Sequence, residues 1–113
     1  MVVRLDAKSQ LPNWLSGDFI SVTRTTDELS IVCEQNNIEN IKAEKNWRAF
    51  KVLGPLDFSE IGILANLAKI LADVKISIFV ISSFDTDYLL VKEQLLTEAI
   101  KALENAGHIV EVN

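Results

Sequence analysis

Between Trp47 and Val112 the apolar residues switch repeatedly from a two-residue to a three-to-four-residue repeat, and that order of switches admits few folds. Trp47 to Leu53 reads as a strand, with Phe50 and Val52 on one face and Lys51 on the other, and Gly54-Pro55 breaks it. A helix is expected from about Phe58 to Ala72. Asp57 and Glu60 stand at N-cap and N3 spacing, where each side chain can satisfy the other's free backbone N–H. Ser59, Gly62, Asn66, Lys69 and Asp73 form a polar stripe, and Ile61, Leu64, Leu67, Ala68 and Leu71 an apolar face that should pack on a sheet.

Lys75 to Ser82 is rich in β-branched residues and predicts a second strand. Phe84-Asp85-Thr86 makes a turn, and Asp87 to Lys92 returns as a third strand. A second helix is expected from Glu93 to Asn105, burying Leu96, Ala99, Ile100 and Leu103 and ending at Gly107 in a left-handed cap. His108 to Val112 supplies a fourth strand. The order β-α-β-β-α-β is the ferredoxin-like, split-βαβ plan of the α+β class.

Residues 1–46 give a fainter version of the same order. Val2 to Leu5 is a strand and Pro12 to Leu15 a short helical turn. Phe19 to Arg24 and Leu29 to Cys33 form a hairpin around Thr26-Asp27-Glu28. Asn36 to Asn40 predicts another helical turn, leading into extended chain from Ile41. This half is read as a degenerate second unit of the same plan, preceding a complete one at 47–113. A simple β-rich extension is the alternative.

The chain has 113 residues, enough to bury a real core, with 49% hydrophobic and 24% charged residues. Its net charge of −5 has no basic cluster to offset it, which argues against nucleic acid as a partner. The most apolar window, Ile61 to Val74, is interrupted by Asn66, Lys69 and Asp73 and cannot cross a bilayer. The N-terminus lacks the features of a secretory signal, and the single Cys33 offers no disulfide within the chain. Cytoplasm is the expected compartment.

For catalysis the inventory is thin. His108 is the only histidine, expected as a solvent-facing strand residue rather than an acid or base. Cys33 alternates with Leu29 and Ile31 and reads as a buried, inert thiol. One Cys and one His do not make a zinc site of the usual composition. Asp85 and Asp87 could hold a hard cation, but turn chemistry is the better reading. Gly62, about one turn inside the expected helix, would cost about 1 kcal/mol relative to Ala. Either close packing or a ligand at the bare backbone should compensate. The free N–H groups just upstream would favour an anion such as an amino-acid carboxylate. Trp14 and Trp47 are expected to be packing residues. Phe79, the one aromatic available for an RNA-reading sheet face, sits amid acidic composition.

The segments Gly54 to Ala65, Ile76 to Phe79 and Ser82 to Val91 resemble the ACT domain, in particular small bacterial tandem-ACT proteins and the cytosolic arginine sensors of animals. The resemblance spans Trp47 to Gly107, with weaker support from Phe19 to Thr25 and Glu28 to Cys33. It implies a non-catalytic, regulatory homodimer needing no cofactor. An amino acid would lie between two ACT units and control association with an unidentified regulated protein. By position it implies Ser59, Gly62, Ile63 and Leu64 at the helix start, Ser77 and Ile78 on the second strand, and Phe84 and Asp85 in the turn. One departure stands out. The related lysine-sensing aspartokinases carry an acidic residue where this chain has Phe79, so Asp85 takes the amine contact, the ligand differs, or this copy binds nothing. A structural or oligomerisation module is therefore the second reading. A small enzyme such as an acyl-phosphate hydrolase is the third, and it lacks an arginine near Gly54 to Gly62.

Overall fold

A computed structural model describes residues 1–53 and 62–112, which fall into two compact units, Met1–Asn46 and Trp47–Asn113. The first unit is a four-stranded antiparallel sheet of β1 (Val2–Leu5), β2 (Ile20–Arg24), β3 (Leu29–Cys33) and β4 (Lys42–Glu44), in the order β2-β3-β1-β4. Its register stacks Val22, Ile31, Val3 and Ala43 along one face. Alternation then puts Met1, Val3, Leu29, Ile31 and Cys33 in one core, against which Leu5, Trp14, Leu15 and Ile41 pack.

The β2–β3 hairpin is closed by Thr25, whose hydroxyl accepts from the N–H groups of Asp27 (3.1 Å) and Glu28 (3.2 Å). Arg24 donates to the carbonyls of Ala7 and Ser9 and so ties the chain after β1 to the hairpin. The expected turn at Pro12 to Leu15 is present, closed by Leu15 N–H on the Pro12 carbonyl at 3.3 Å. The helical turn expected over Asn36 to Asn40 is not. Asn36 Oδ1 accepts from Ile38 N–H at 3.0 Å, and this side-chain bond replaces the helical one.

The second unit pairs β5 (Trp47–Lys51), β6 (Phe79–Ser82) and β7 (Asp87–Lys92) in the antiparallel order β5-β7-β6. Helices α1 (Ile63–Asp73) and α2 (Leu96–Asn105) supply Leu67, Leu71, Ala99 and Leu103 to a core shared with Ile76, Leu89 and Val91. A single 3-10 turn, Glu93–Leu95, leads into α2. Gly54, Pro55, Asp57 and the expected helix start at Phe58 lie outside the described residues, as do Ser59, Glu60 and Ile61. The described helix begins one residue after Gly62.

Both units share one pairing rule: the first strand lies beside the third, and the third beside the second. In the first unit the fourth strand, β4, occupies the other edge of the first. In the second that edge belongs to β5, and the expected strand His108 to Val112 is not paired there. The tail follows the strand alternation only in part. Val110 packs on the core while Ile109 is 90% exposed. Its outward-turned groups are not bonded to β5, so the alternation alone does not make a strand.

The two helices end alike. After α2, Gly107 N–H bonds the Glu104 carbonyl (3.0 Å) and His108 N–H the Leu103 carbonyl (3.0 Å), with Gly107 at φ 97°. After α1, Lys75 N–H bonds Ala72 (2.9 Å) and Ile76 N–H bonds Leu71 (3.0 Å), with Lys75 at φ 62°. Buried Ile76 closes on buried Leu71, the apolar contact that accompanies such a cap. This cap also shortens the second strand, expected from Lys75 but starting at Phe79, because a left-handed residue cannot sit in a strand.

Lysine at a left-handed position carries a cost that glycine does not. Lys75→Gly should therefore stabilise the fold by about 1 kcal/mol, and Gly107→Ala, which meets open space but keeps the positive φ, should destabilise it by a similar amount. Urea denaturation of both variants measures the pair.

Candidate functional site

Gly62 is the N-cap of α1 at φ 96°, and among the described residues a Cβ placed there would meet nothing within 4 Å. This corrects the sequence reading: the glycine is not one turn inside the helix. Its left-handed backbone accounts for the residue type without close packing. Its carbonyl accepts the Asn66 N–H at 2.8 Å, closing the first turn. Ile63 and Leu64 follow, both partly buried against the core, so their side chains serve packing. Ser59 lies outside the described residues.

The other expected site residues divide between the two ends of the sheet. Ser82 pairs with Asp87 and the Val52 N–H bonds the Asp87 carbonyl at 3.0 Å, so the loop 83–86 lies at the end where the chain leaves β5. Phe84, 80% exposed, and exposed Asp85 sit in this loop, held by Ser83 N–H and Oγ on the Thr86 carbonyl (2.8 and 3.0 Å). Ser77 and Ile78 precede β6 at the opposite end, where Phe79 pairs with Leu90. Ser77 is exposed, and Ile78 packs on the core. Among the described residues, one unit therefore sets Ser77 and Ile78 apart from Phe84 and Asp85. Phe79 is engaged in an edge-to-face contact with Trp47, at 6.2 Å and 63° between rings, and the Lys92 Nζ lies 4.6 Å from the Trp47 ring.

Among the described residues no three His, Cys, Asp or Glu side chains gather to hold a metal ion, and no helix is long and apolar enough to cross a membrane. His108 does not face solvent alone: its Nε2 lies 3.2 Å from Asn66 Oδ1, joining the end of α2 to the polar stripe of α1. Lys69 on that stripe pairs with Asp73 at 2.9 Å, and the hydrogen bond holds the lysine above its ordinary pKa. Sequence reading had no signal for the His108–Asn66 contact, since the partners are far apart in the chain. Cys33 is 4% exposed in the core of the first unit, and burial pushes its thiol up.

A family profile described as the ACT domain matches residues 42–105, and a second profile, for an N-terminal domain, matches residues 1–40. A crystal structure of a protein from Agobacterium tumefaciens resembles the chain with a TM-score of 0.90 and 40% identity, covering 99% of this chain and 87% of that one. A Vibrio cholerae protein of unknown function, described as a possible transport protein, matches with a TM-score of 0.71 at 22% identity, over 95% and 84% of the two chains. That second likeness is one of fold alone. No curated protein matches the chain.

A buried thiol with a raised pKa has little thiolate at neutral pH. Ellman's reagent should accordingly leave Cys33 unmodified in the native protein at pH 7 and titrate one thiol per chain after denaturation. Rapid modification of the native chain would show that the burial is wrong.

Proposed function

The chain belongs to the ACT-domain family, and from that membership we propose that it is a non-catalytic regulatory homodimer that binds an amino acid between ACT units and signals through its association. Residues 1–46 are a degenerate ACT unit and 47–113 the ACT domain, which keeps both helices and three of the four strands among the described residues. What supports the repeat is the common pairing rule of the two sheets. The first unit keeps four strands while loops replace its helices.

The observation that carries the ligand reading is the open backbone at Gly62, exposed at the start of a helix with no atom of the described residues where a side chain would project. A carboxylate can approach main-chain N–H groups there without meeting a Cβ. Asp85 lies in the exposed loop at the sheet end where the chain leaves β5, and it would receive the amine. Phe79, already packed on Trp47, takes no part in that contact. Ser77 and Ile78, at the opposite end, would serve a neighbouring unit's ligand, which is why the site needs an interface. Ser59, Ile63, Leu64 and Phe84 complete the proposed set. Regulation then requires that the ligand favour one assembly state over another.

Thermal melting against the twenty amino acids at millimolar concentration tests this. One amino acid should raise the melting temperature in a concentration-dependent way, by about 2.7 kcal/mol of stabilisation at a hundredfold excess over Kd. Asp85→Asn should abolish the rise while shifting the ligand-free stability by less than about 0.5 kcal/mol, because the side chain is exposed. A flat response to all twenty, with a dimer by light scattering, would leave the structural module as the better account.

A further inference from the structure

The sheet of the first unit has two edges, and they are built differently. β4 is short and carries Lys42 and Glu44, charged side chains of the kind that discourage further pairing. β2, Ile20-Ser21-Val22-Thr23-Arg24, is longer and uncharged until its last residue. Ile20 and Val22 are 45% and 42% exposed. Arg24 does not guard the edge, because its guanidinium is tied back to the Ala7 and Ser9 carbonyls. No proline interrupts the strand, and its register against β3 runs without a bulge. Among the described residues nothing pairs with its outer side.

The main-chain groups on that side follow from the hairpin. Thr25 N–H bonds the Glu28 carbonyl, so in this antiparallel ladder Ser21 and Thr23 also turn their N–H and C=O groups toward β3. Ile20, Val22 and Arg24 turn theirs outward. These three positions are symmetric about Val22, so a second β2 running antiparallel meets the first in register. Val22 of each copy then faces the other, and Ile20 of each faces Arg24 of the other. Each such pair exchanges two bonds, about six in all. Ser21 stands opposite Thr23, and beyond the strand Asp18 stands opposite Thr26, so no like charges meet. The apolar row of Val22, Ile31, Val3 and Ala43 joins its copy end to end, and the half-exposed Ile20 and Val22 are covered. The edge strand β6 of the second unit offers less. Ser83 N–H bonds the Thr86 carbonyl, and the same alternation leaves only Val80 and Ser82 of β6 turned outward.

We propose that β2 is the surface through which two copies of this chain associate, pairing antiparallel about Val22 so that their first units form one continuous sheet. This rests on the homodimer of the proposed function and assigns its contact to the first unit rather than to the ACT domain. It is independent of which amino acid binds.

Light scattering over a dilution series, joined to amide hydrogen exchange, tests it. The wild type should dimerise, and the Ile20, Val22 and Arg24 amides should exchange at least about tenfold more slowly in the dimer than in the dilute monomer. Ser21 and Thr23, already bonded within the sheet, should change less. Val22→Lys sets two like charges face to face and should weaken association about a hundredfold, with the circular dichroism unchanged. Val80→Lys, on β6, should leave the dimer intact. A wild type that dimerises without protecting the three edge amides, an equally tight Val22→Lys dimer, or dissociation by Val80→Lys instead would each overturn the proposal and leave the homodimer standing. A monomer at every concentration would overturn both. If Val22→Lys does not fold, the exchange pattern of the wild type decides.

Discussion

The second unit depends on β7. It is the central strand, bonded to β5 on one side and β6 on the other, and its Leu89 and Val91 are 2% and 0% exposed beneath the helices. Every other element of the unit is placed by reference to this strand: α1 and α2 by the core its inward residues form, and the 83–86 loop by its first pair. A central strand buried on its helix face tolerates no slip of register, because a shift by one residue would turn Leu89 and Val91 out and Tyr88 and Lys92 in. The outward face of the same three strands carries its own packing: Phe79 lies opposite Leu90, Trp47 opposite Lys92, and the two rings meet edge to face.

Much of this was legible in the sequence because the informative residues are local. β7 is bounded as expected at Asp87 and Lys92, the β2–β3 hairpin follows from alternation around a polar turn, and Gly107 announces the end of α2. The failures have local causes too. Lys75 gave no warning that α1 would end in a left-handed cap, since the residue type usually found there is glycine. Asn36 was read as part of a helical turn when its side chain makes the bond that prevents one. Gly62 was read as lying one turn inside a helix, whereas it is the N-cap, at a positive φ that favours glycine.

The site was less legible than the fold. Residue types and family likeness point to Ser77 and Asp85 together, but the topology sets them at opposite ends of one sheet. Periodicity reports on one element at a time and so does not show which residues of different elements come together. The last expected strand failed for a related reason. The pattern of His108 to Val112 is that of a strand, and whether such a segment pairs is decided by long-range contacts that no local repeat encodes.

The two helix caps, alike in hydrogen bonding and unlike in residue, create a gradient of local stability within one small unit. The backbone strain stored at Lys75 is released whenever the final turn of α1 opens, while the Gly107 cap holds no comparable strain. Brief excursions should thus begin at the connection into β6, the edge strand, and spare the end of α2. Motion in this unit has a preferred starting point, and a single side chain sets it.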